Sequence, residues 1–171
     1  MRGFLLVVTG VVALLAIVGV AVLPGQRVSS QTIYLTEPPE FVWPVIADIE
    51  NGPQWRPELV SVKQLPDNNG HPVWSEKYTD GSTANLETIE AVPRRLLVRR
   101  IAQTSLPFSG TWTIEIVPTD DGSVVTLRED REIRNPIVRL LARFMDGRGP
   151  TVDGYLKALV SQLGKGGISP E

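Results

Sequence analysis

The chain has 171 residues with 17 basic and 19 acidic side chains, a formal net charge of −2, no cysteine and one histidine. This charge balance gives no indication of nucleic-acid binding, because proteins that bind nucleic acid carry a clustered basic excess. The lack of cysteine excludes disulfides, thiolate metal sites and cysteine nucleophiles. A single histidine argues against a histidine-based metal site or catalytic triad. We therefore predict no cofactor and no metal site.

The N-terminal region contains an apolar run from Phe4 to Leu23 with no charged residue. As a helix, a run of this length spans ~30 Å, the thickness of the hydrocarbon core of a bilayer. A cleaved signal peptide is the alternative, but it has a shorter apolar core and ends in small residues. We predict that residues 4–23 are a single transmembrane anchor and that residues 1–27 form anchor and linker. The weak positive bias before the run places the following domain outside the cytoplasm.

The rest of the chain predicts one α+β domain over residues 28–165, followed by a tail at 166–171. Val28 to Thr36 alternates in polarity, as a first strand does, and Pro39 can open a short helix that precedes a brief turn at Trp55. Six further strands follow, at Leu59–Leu65, Val73–Thr79, Ala84–Val92, Leu96–Ile101, Gly110–Val117 and Ser123–Ile133. We expect about seven antiparallel strands in a strongly curved sheet.

The last part of the chain predicts a long amphipathic helix from Pro136 to Leu163. Its apolar residues recur at helical spacing in two stripes that are in phase with each other. We therefore predict one helix that is bent at Pro150 and encloses a pocket against the sheet. The stripes consist of Ile137, Leu140, Leu141 and Phe144, and then of Val152, Tyr155, Leu156, Leu159 and Leu163.

Strand parity predicts which acidic residues face that pocket. A tight hairpin at Thr119–Gly122 places Glu129 on the same apolar face as Trp112 and Leu127, and Glu76 shares a strand face with Trp74 and Tyr78. A carboxylate among apolar walls is costly unless it is paired or hydrated. Arg100 is a candidate partner for either acid. The two acids are either structural ion pairs at a strand end or the polar floor of a pocket.

The order of elements and several short segments resemble the START-like, polyketide cyclase/dehydrase-type superfamily (SRPBCC, helix-grip fold), in particular its small bacterial members. The resemblance covers about Val28 to Leu163 and implies the helix-grip architecture and an apolar ligand, such as a lipid, an isoprenoid or a polyketide-like molecule. The segments that carry the resemblance mark the fold and the pocket walls in this superfamily, and they contain no catalytic signature. They are Pro39–Trp43, Trp55–Glu58, Trp74–Glu76, Pro93–Leu96, Gly110–Trp112, Glu129–Asp130 and Asn135–Pro136.

We therefore expect a domain that binds or carries a small hydrophobic ligand at a membrane; its protein partner, if any, is unknown. One alternative is a cyclase or dehydratase that uses Glu76 or Glu129 as general acid or base, which requires a carboxyl pKa raised towards neutrality. The other is a protein-interaction module, indicated by a small pocket and an exposed apolar patch. The predicted pocket residues are Trp43, Trp55, Trp74, Glu76, Tyr78, Arg100, Trp112, Ile114, Leu127, Glu129, Leu141 and Phe144.

Overall fold

The computed structural model describes residues 25–102, 108–133, 135 and 151–166. Within these ranges the chain forms one strand, two short helical elements, six strands and a C-terminal helix, which confirms the predicted α+β order. The elements are β1 (Gln26–Leu35), helix α1 (Pro39–Ala47), a 3₁₀ turn (Gly52–Gln54), β2 (Leu59–Asn68), β3 (His71–Tyr78), β4 (Thr83–Val92), β5 (Leu96–Ile101), β6 (Phe108–Thr119), β7 (Gly122–Ile133) and helix α2 (Val152–Gly166).

The strands of the described residues form one seven-stranded antiparallel sheet in the order β1-β7-β6-β5-β4-β3-β2. Strands β2 to β7 follow one another as neighbours, but β1 pairs with β7 and so lies at the opposite edge from β2. Helix α1 and the 3₁₀ turn connect these two edges. Helix α2 packs against β1, β7 and α1, and the sheet face that it covers is called the inner face below.

The hairpin between β6 and β7 has the register that strand parity predicts. Thr119 pairs with Gly122, which places Trp112 opposite Glu129 and Ile114 opposite Leu127 on the inner face. Gly122 has a φ of +146°. A Cβ atom at this position would lie 2.1 Å from the carbonyl oxygen of Leu35, because the end of β1 passes directly over the turn. Only glycine fits here without displacing β1.

Helix α1 begins with Pro39 at a position where the missing N–H costs nothing, and it contains Pro44 in its interior as the sixth of its nine residues. Val42 and Ile46 are buried one turn apart and join the main core under α2. Trp43 is partly buried and packs against that same core. Helix α1 therefore closes one side of the space between the sheet and α2.

Helix α2 has its own N-terminus. The hydroxyl oxygen of Thr151 accepts a hydrogen bond from the backbone N–H of Gly154 at 3.0 Å, the contact that an N-cap residue makes with the third helical residue. The helix that carries the second predicted stripe therefore starts at Val152. The predicted bend at Pro150 lies outside the described residues and stays a prediction. The second predicted stripe is buried on the sheet side, with Val152, Leu156, Leu159 and Leu163 in the core.

Two further predictions fall on parts of the chain that the structure does not describe. The first helical stripe, Ile137 to Phe144, lies outside the described residues. The predicted membrane anchor at residues 4–23 also lies outside them and stays a prediction. Among the helices of the described ranges, none is long and apolar enough to cross a membrane.

Candidate ligand-binding site

A cavity of about 60 Å³ lies between the inner face of the sheet, the 3₁₀ turn and the first turn of α2. Much of its wall is apolar or aromatic, including Trp55, Ile114 and Leu127. One water molecule needs ~10–15 Å³ of cavity volume on this measure, so the cavity accommodates a small chemical group rather than a whole lipid. Charged and hydroxyl-bearing residues also reach it. They are Glu76 and Tyr78 on β3, Arg99 on β5, and Asp48, Arg56, Thr151 and Tyr155 outside the sheet.

Glu76 lies at the centre of the polar part of the wall. It is on β3 one pleat away from Tyr78, and none of its surface is exposed to solvent. Its Oε1 accepts a hydrogen bond from Nη1 of Arg99 at 2.6 Å. Its Oε2 accepts one from the Tyr78 hydroxyl at 2.8 Å and one from Nη1 of Arg56 at 3.3 Å. Both oxygens are thus bonded, which is the condition under which a buried carboxylate is tolerated.

These contacts hold Glu76 in its ionised form. Burial by itself raises the pKa of a carboxyl group, but the Arg99 and Arg56 guanidinium groups, with the hydrogen bonds from Arg99 and Tyr78, outweigh burial and lower the pKa of Glu76. The general-acid hypothesis needs a shift in the opposite direction. A carboxylate with a lowered pKa is also a weak base, so the geometry does not suit Glu76 to proton transfer near neutral pH.

Arg56 connects this carboxylate to helix α2. Its Nε donates to Oε1 of Glu58 at 2.7 Å, and its guanidinium carbon lies 5.2 Å from the centre of the Tyr155 ring. Trp55 meets the same ring edge to face, with centroids 5.2 Å apart. Cation–π and edge-to-face contacts of this kind each contribute ~0.5–2 kcal/mol. Tyr155 therefore fixes the start of α2 against the cavity.

The two tyrosines of the wall stay neutral at physiological pH. Burial and the negative charge of Glu76 raise the pKa of Tyr78. Part of the Tyr155 surface faces the cavity, yet protein atoms surround the phenol, and this burial raises the pKa of Tyr155 to about 12. Neutral phenols donate hydrogen bonds and do not act as bases at pH 7. Tyr78 already donates to Glu76, so its hydroxyl is engaged within the protein.

Arg99 lines the cavity and carries two buried hydrogen-bond donors without a partner in the described part of the chain. It is 8% exposed, and only its Nη1 has a partner, Glu76. Its Nε and Nη2 are buried and have no hydrogen-bond partner in the described part of the chain. Leaving a buried donor unsatisfied costs ~1–3 kcal/mol, so two unsatisfied donors on one side chain are a substantial cost to folding.

The structure brings half of the predicted pocket residues together at this cavity. Trp55, Glu76, Tyr78, Trp112, Ile114 and Leu127 line it. Trp43 and Trp74 are not in its wall, and Glu129 instead pairs with Arg131, whose Nε donates to Oε1 of Glu129 at 3.0 Å. Leu141 and Phe144 lie outside the described residues. The function of the set as a ligand pocket stays a prediction.

The proposed role of Arg100 is wrong. Arg100 contacts neither Glu76 nor Glu129, and its Nη2 donates to Oε2 of Glu87 at 2.7 Å. The register of β4 and β5 explains this pairing, because Glu87 lies directly opposite Arg100. Alternation along β5 turns Arg99, rather than Arg100, towards Glu76 on the inner face.

Sequence reasoning missed three residues that shape the site: Arg56, Arg99 and Tyr155. For Arg99 the alternation gives no decisive signal, since Leu97 and Ile101 flank it at a spacing of two but Leu96 and Val98 precede Arg100 at the same spacing. Tyr155 belongs to a predicted apolar stripe, but its contact with Arg56 depends on the docking of α2. For Arg56, which follows the 3₁₀ turn, the sequence carries no periodic signal.

A family comparison identifies the chain. The family described as polyketide cyclase / dehydrase and lipid transport matches residues 26–164, which is most of the chain. The chain belongs to this family. A comparison with curated proteins finds no match.

Solved structures of this fold superpose on the chain at low sequence identity. The Zhui aromatase/cyclase from Streptomyces sp. R1128 has a TM-score of 0.62 and 15% identity, covering 82% of this chain and 94% of its own. Norcoclaurine synthase from Thalictrum flavum has a TM-score of 0.63 and 14% identity, covering 81% and 86%. A START superfamily protein from Mycobacterium smegmatis has a TM-score of 0.58 and 19% identity, covering 81% and 97%. Identities this low establish the shared fold alone, which agrees with the resemblance expected from the sequence.

Proposed function

We propose that this domain binds a small, largely apolar molecule in the cavity between the sheet and α2, without converting it. The observation that carries this proposal is an aromatic and apolar wall whose acidic group is already engaged. Trp55, Trp112 and Tyr155 offer surface to an apolar ligand, while both oxygens of Glu76 are bonded within the protein. Ligand sites of this kind combine apolar walls with few polar groups that fix orientation.

The size of the cavity limits how a ligand sits in it. About 60 Å³ holds a head group and a few carbon atoms, so the body of a larger ligand extends through the mouth. The predicted anchor at residues 4–23 would hold the domain at a membrane, where lipid-like or isoprenoid molecules are concentrated. Carriage of such a molecule at a membrane is the finer form of this proposal.

Two other functions are weighed against binding. Of the two acids named in the cyclase or dehydratase alternative, Glu76 has a lowered pKa. The other, Glu129, pairs with Arg131 and is not in the cavity wall. The interaction-module alternative draws support from the small cavity and from a row of apolar side chains on the outer face. In that row Tyr34, which is 82% exposed, pairs with Val124, which in turn pairs with Val117. Three residues make a small patch, and isolated exposed apolar side chains are common on monomeric proteins.

The four tryptophans provide a direct test of ligand binding. Trp55 and Trp112 line the cavity, whereas Trp43 and Trp74 do not, so one labelled sample contains both reporters and internal controls. We would label the full-length chain with 5-fluorotryptophan, assign the four ¹⁹F signals by Trp→Phe substitution, and titrate 4-phenylbutanoate and 4-phenylbutanamide. We expect saturable shifts of the Trp55 and Trp112 signals and little change in the other two.

Each outcome of the titration separates the candidate functions. Unchanged Trp55 and Trp112 signals with both probes would refute binding in this cavity and would favour the interaction module. Mass spectrometry of the protein as purified adds a second readout, because a retained small molecule is expected for a binding protein. A retained molecule that the protein converts to a product would instead support an enzyme.

A further inference from the structure

The two edges of the sheet differ in their protection against pairing with another strand. Edge strand β2 contains Lys63 and Pro66 and has two irregularities in its register with β3. Lysine, proline and bulges are features by which proteins block the edge of a sheet. Strand β1 has none of these features. Its ten residues pair with β7 in one unbroken register, and its single charged residue is Arg27 at the second position. An edge of this kind is open to a further antiparallel strand.

The backbone groups on the free edge of β1 belong to its even-numbered residues. The carbonyl oxygen of Gly25 accepts a hydrogen bond from the N–H of Ile133 at 2.7 Å. Hydrogen-bonded pairs recur at every second residue of an antiparallel ladder, so the odd-numbered residues of β1 direct their N–H and C=O groups towards β7. The even-numbered residues direct theirs away from β7, and all five are exposed: Gln26, Val28, Ser30, Thr32 and Tyr34. Within the described ranges no strand lies beyond β1.

The side chains of β1 form a palindrome about Gln31. Val28 and Tyr34 lie three residues to either side and are largely apolar, and Ser30 and Thr32 lie one residue to either side and carry hydroxyl groups. A two-fold axis at Gln31 places Val28 opposite Tyr34 of a second copy, and Ser30 opposite Thr32. Because all four residues have their N–H and C=O groups on the free edge, each pair exchanges two backbone hydrogen bonds. A strand that pairs with a copy of itself needs such a palindrome, whereas a different partner does not require one.

This register also covers apolar surface and keeps like charges apart. Val28 is 57% exposed and Tyr34 is 82% exposed, and Tyr34 lies in the outer-face row with Val124 and Val117. Val28 of the second copy extends that row, and an aromatic side chain opposite a β-branched one contributes ~0.2–1 kcal/mol. The two Arg27 residues lie eight positions apart along the paired strands, or ~27 Å, which is well beyond the Debye length of ~8 Å.

We propose that two copies of this chain associate through β1, which joins their two seven-stranded sheets into one continuous antiparallel sheet. Association stops at the dimer, because the edges that remain are the protected β2 strands. One strand pair buries less than the ~1,200–2,000 Å² of a standard interface, so the dimer is weak. The predicted anchor at residues 4–23 would strengthen it by confining both copies to one membrane. The proposal does not depend on ligand binding, because no residue of β1 lines the cavity.

The lack of cysteine makes disulfide cross-linking a direct test. In the purified full-length chain, a single introduced cysteine can form a disulfide only with another copy. The two Gln31 residues face each other on the two-fold axis as a non-hydrogen-bonded pair, with Cα atoms ~4.5 Å apart, a distance that a disulfide can bridge. Since the dimer holds the two thiols together, we expect Gln31→Cys to form covalent dimers under mild oxidation roughly ten-fold faster than two control variants.

The two controls measure random collision between copies. Ser29→Cys is on the same strand and the same face, but in the dimer its two copies lie ~14 Å apart, too far for a disulfide. Ser61→Cys is exposed on the protected strand β2. Equal rates for the three variants, or faster cross-linking of Ser30→Cys or Thr32→Cys, would refute the proposed pairing. A Gln31→Cys thiol that resists both cross-linking and maleimide labelling would show that another part of the chain covers β1, and would refute it as well.

Charges at the exposed apolar pair test the register itself. In the Gln31→Cys chain, Val28→Lys with Tyr34→Lys places like charges opposite each other and should abolish the fast cross-linking. Val28→Lys with Tyr34→Glu places opposite charges there and should preserve it. Both positions are more than half exposed, so both double variants should unfold at nearly the wild-type urea concentration when dilute. Equal cross-linking of the two folded double variants would overturn the pairing of Val28 with Tyr34.

Discussion

Replacing Glu76 by glutamine tests whether the buried charge cluster holds the cavity wall together. The change keeps the size of the side chain, but a carboxamide has one acceptor oxygen and one NH₂ group. The carboxamide oxygen can accept from Arg99, or from Tyr78 and Arg56, but not from both sides. On the side without the oxygen, the NH₂ group then faces a donor of Arg99 or of Tyr78 and Arg56. Two buried guanidinium groups also lose their only fully buried counter-charge. Removing one partner of a buried ion pair costs ~3–5 kcal/mol, a large part of the ~5–15 kcal/mol that stabilises a domain.

The measurement is urea unfolding at pH 7, followed by tryptophan fluorescence. The matched control is Glu129→Gln, since Glu129 is also on the inner face but its partner Arg131 has a side chain 40% exposed. Water can solvate Arg131 in that variant, so a cost of about 1 kcal/mol or less is expected. A cost below ~1 kcal/mol for Glu76→Gln, or equal costs for the two variants, would contradict a stabilising role of the buried cluster.

The comparison of wild type with Glu76→Gln should also depend on pH, and the sign of that dependence follows from the pKa of Glu76. The folded-state pKa of Glu76 is lowered from its ordinary value of 4.5. Its contribution to stability is therefore complete above about 4.5 and is lost as the pH falls through the folded-state pKa. The difference in unfolding free energy between wild type and Glu76→Gln should be constant near neutral pH and shrink in acid. A difference that grows on acidification would contradict the lowered pKa.

Two further substitutions test the elements that frame the cavity. Thr151→Ala removes the N-cap of α2 and should lower the unfolding free energy by ~0.5–2 kcal/mol in urea unfolding; no loss would mean that α2 does not begin at Val152. Gly122→Ala should prevent folding or destabilise severely, because the new Cβ would lie 2.1 Å from the Leu35 oxygen, whereas Gly70→Ala shares the positive φ, meets nothing within 4 Å and should cost only about 1 kcal/mol. Equal effects of the two glycine substitutions in thermal unfolding would contradict the close approach of β1.

The fold follows closely from the sequence because local patterns determine most of it. The alternation in Gly110–Val117 and Ser123–Ile133 and the turn between them determine the β6–β7 register, so the face shared by Trp112 and Glu129 is predicted correctly. The terminal helix shows the limit of such reasoning. Two apolar stripes in phase do not show where the helix that carries the second stripe begins, and the capping bond of Thr151 places that start at Val152.

The site could be predicted only in part, because its key contacts join distant segments. On β5 both faces carry apolar residues, so parity alone does not distinguish Arg99 from Arg100 as the partner of a buried acid. The distinction comes from the β4–β5 register, which pairs Glu87 with Arg100 and leaves Arg99 on the side of Glu76. The Arg56–Tyr155 contact joins residues about a hundred positions apart and depends on the docking of α2. No periodicity in a single sequence contains that information.

The arrangement of the cluster explains how the polar part of the cavity wall is held in place. Glu76 is ionised at neutral pH and binds Arg99 through Nη1, which restricts the orientation of the guanidinium plane. Arg56 and Tyr78 restrain the carboxylate from its other side. A wall that is already ordered loses little conformational entropy when a ligand binds, and this raises affinity without adding contacts.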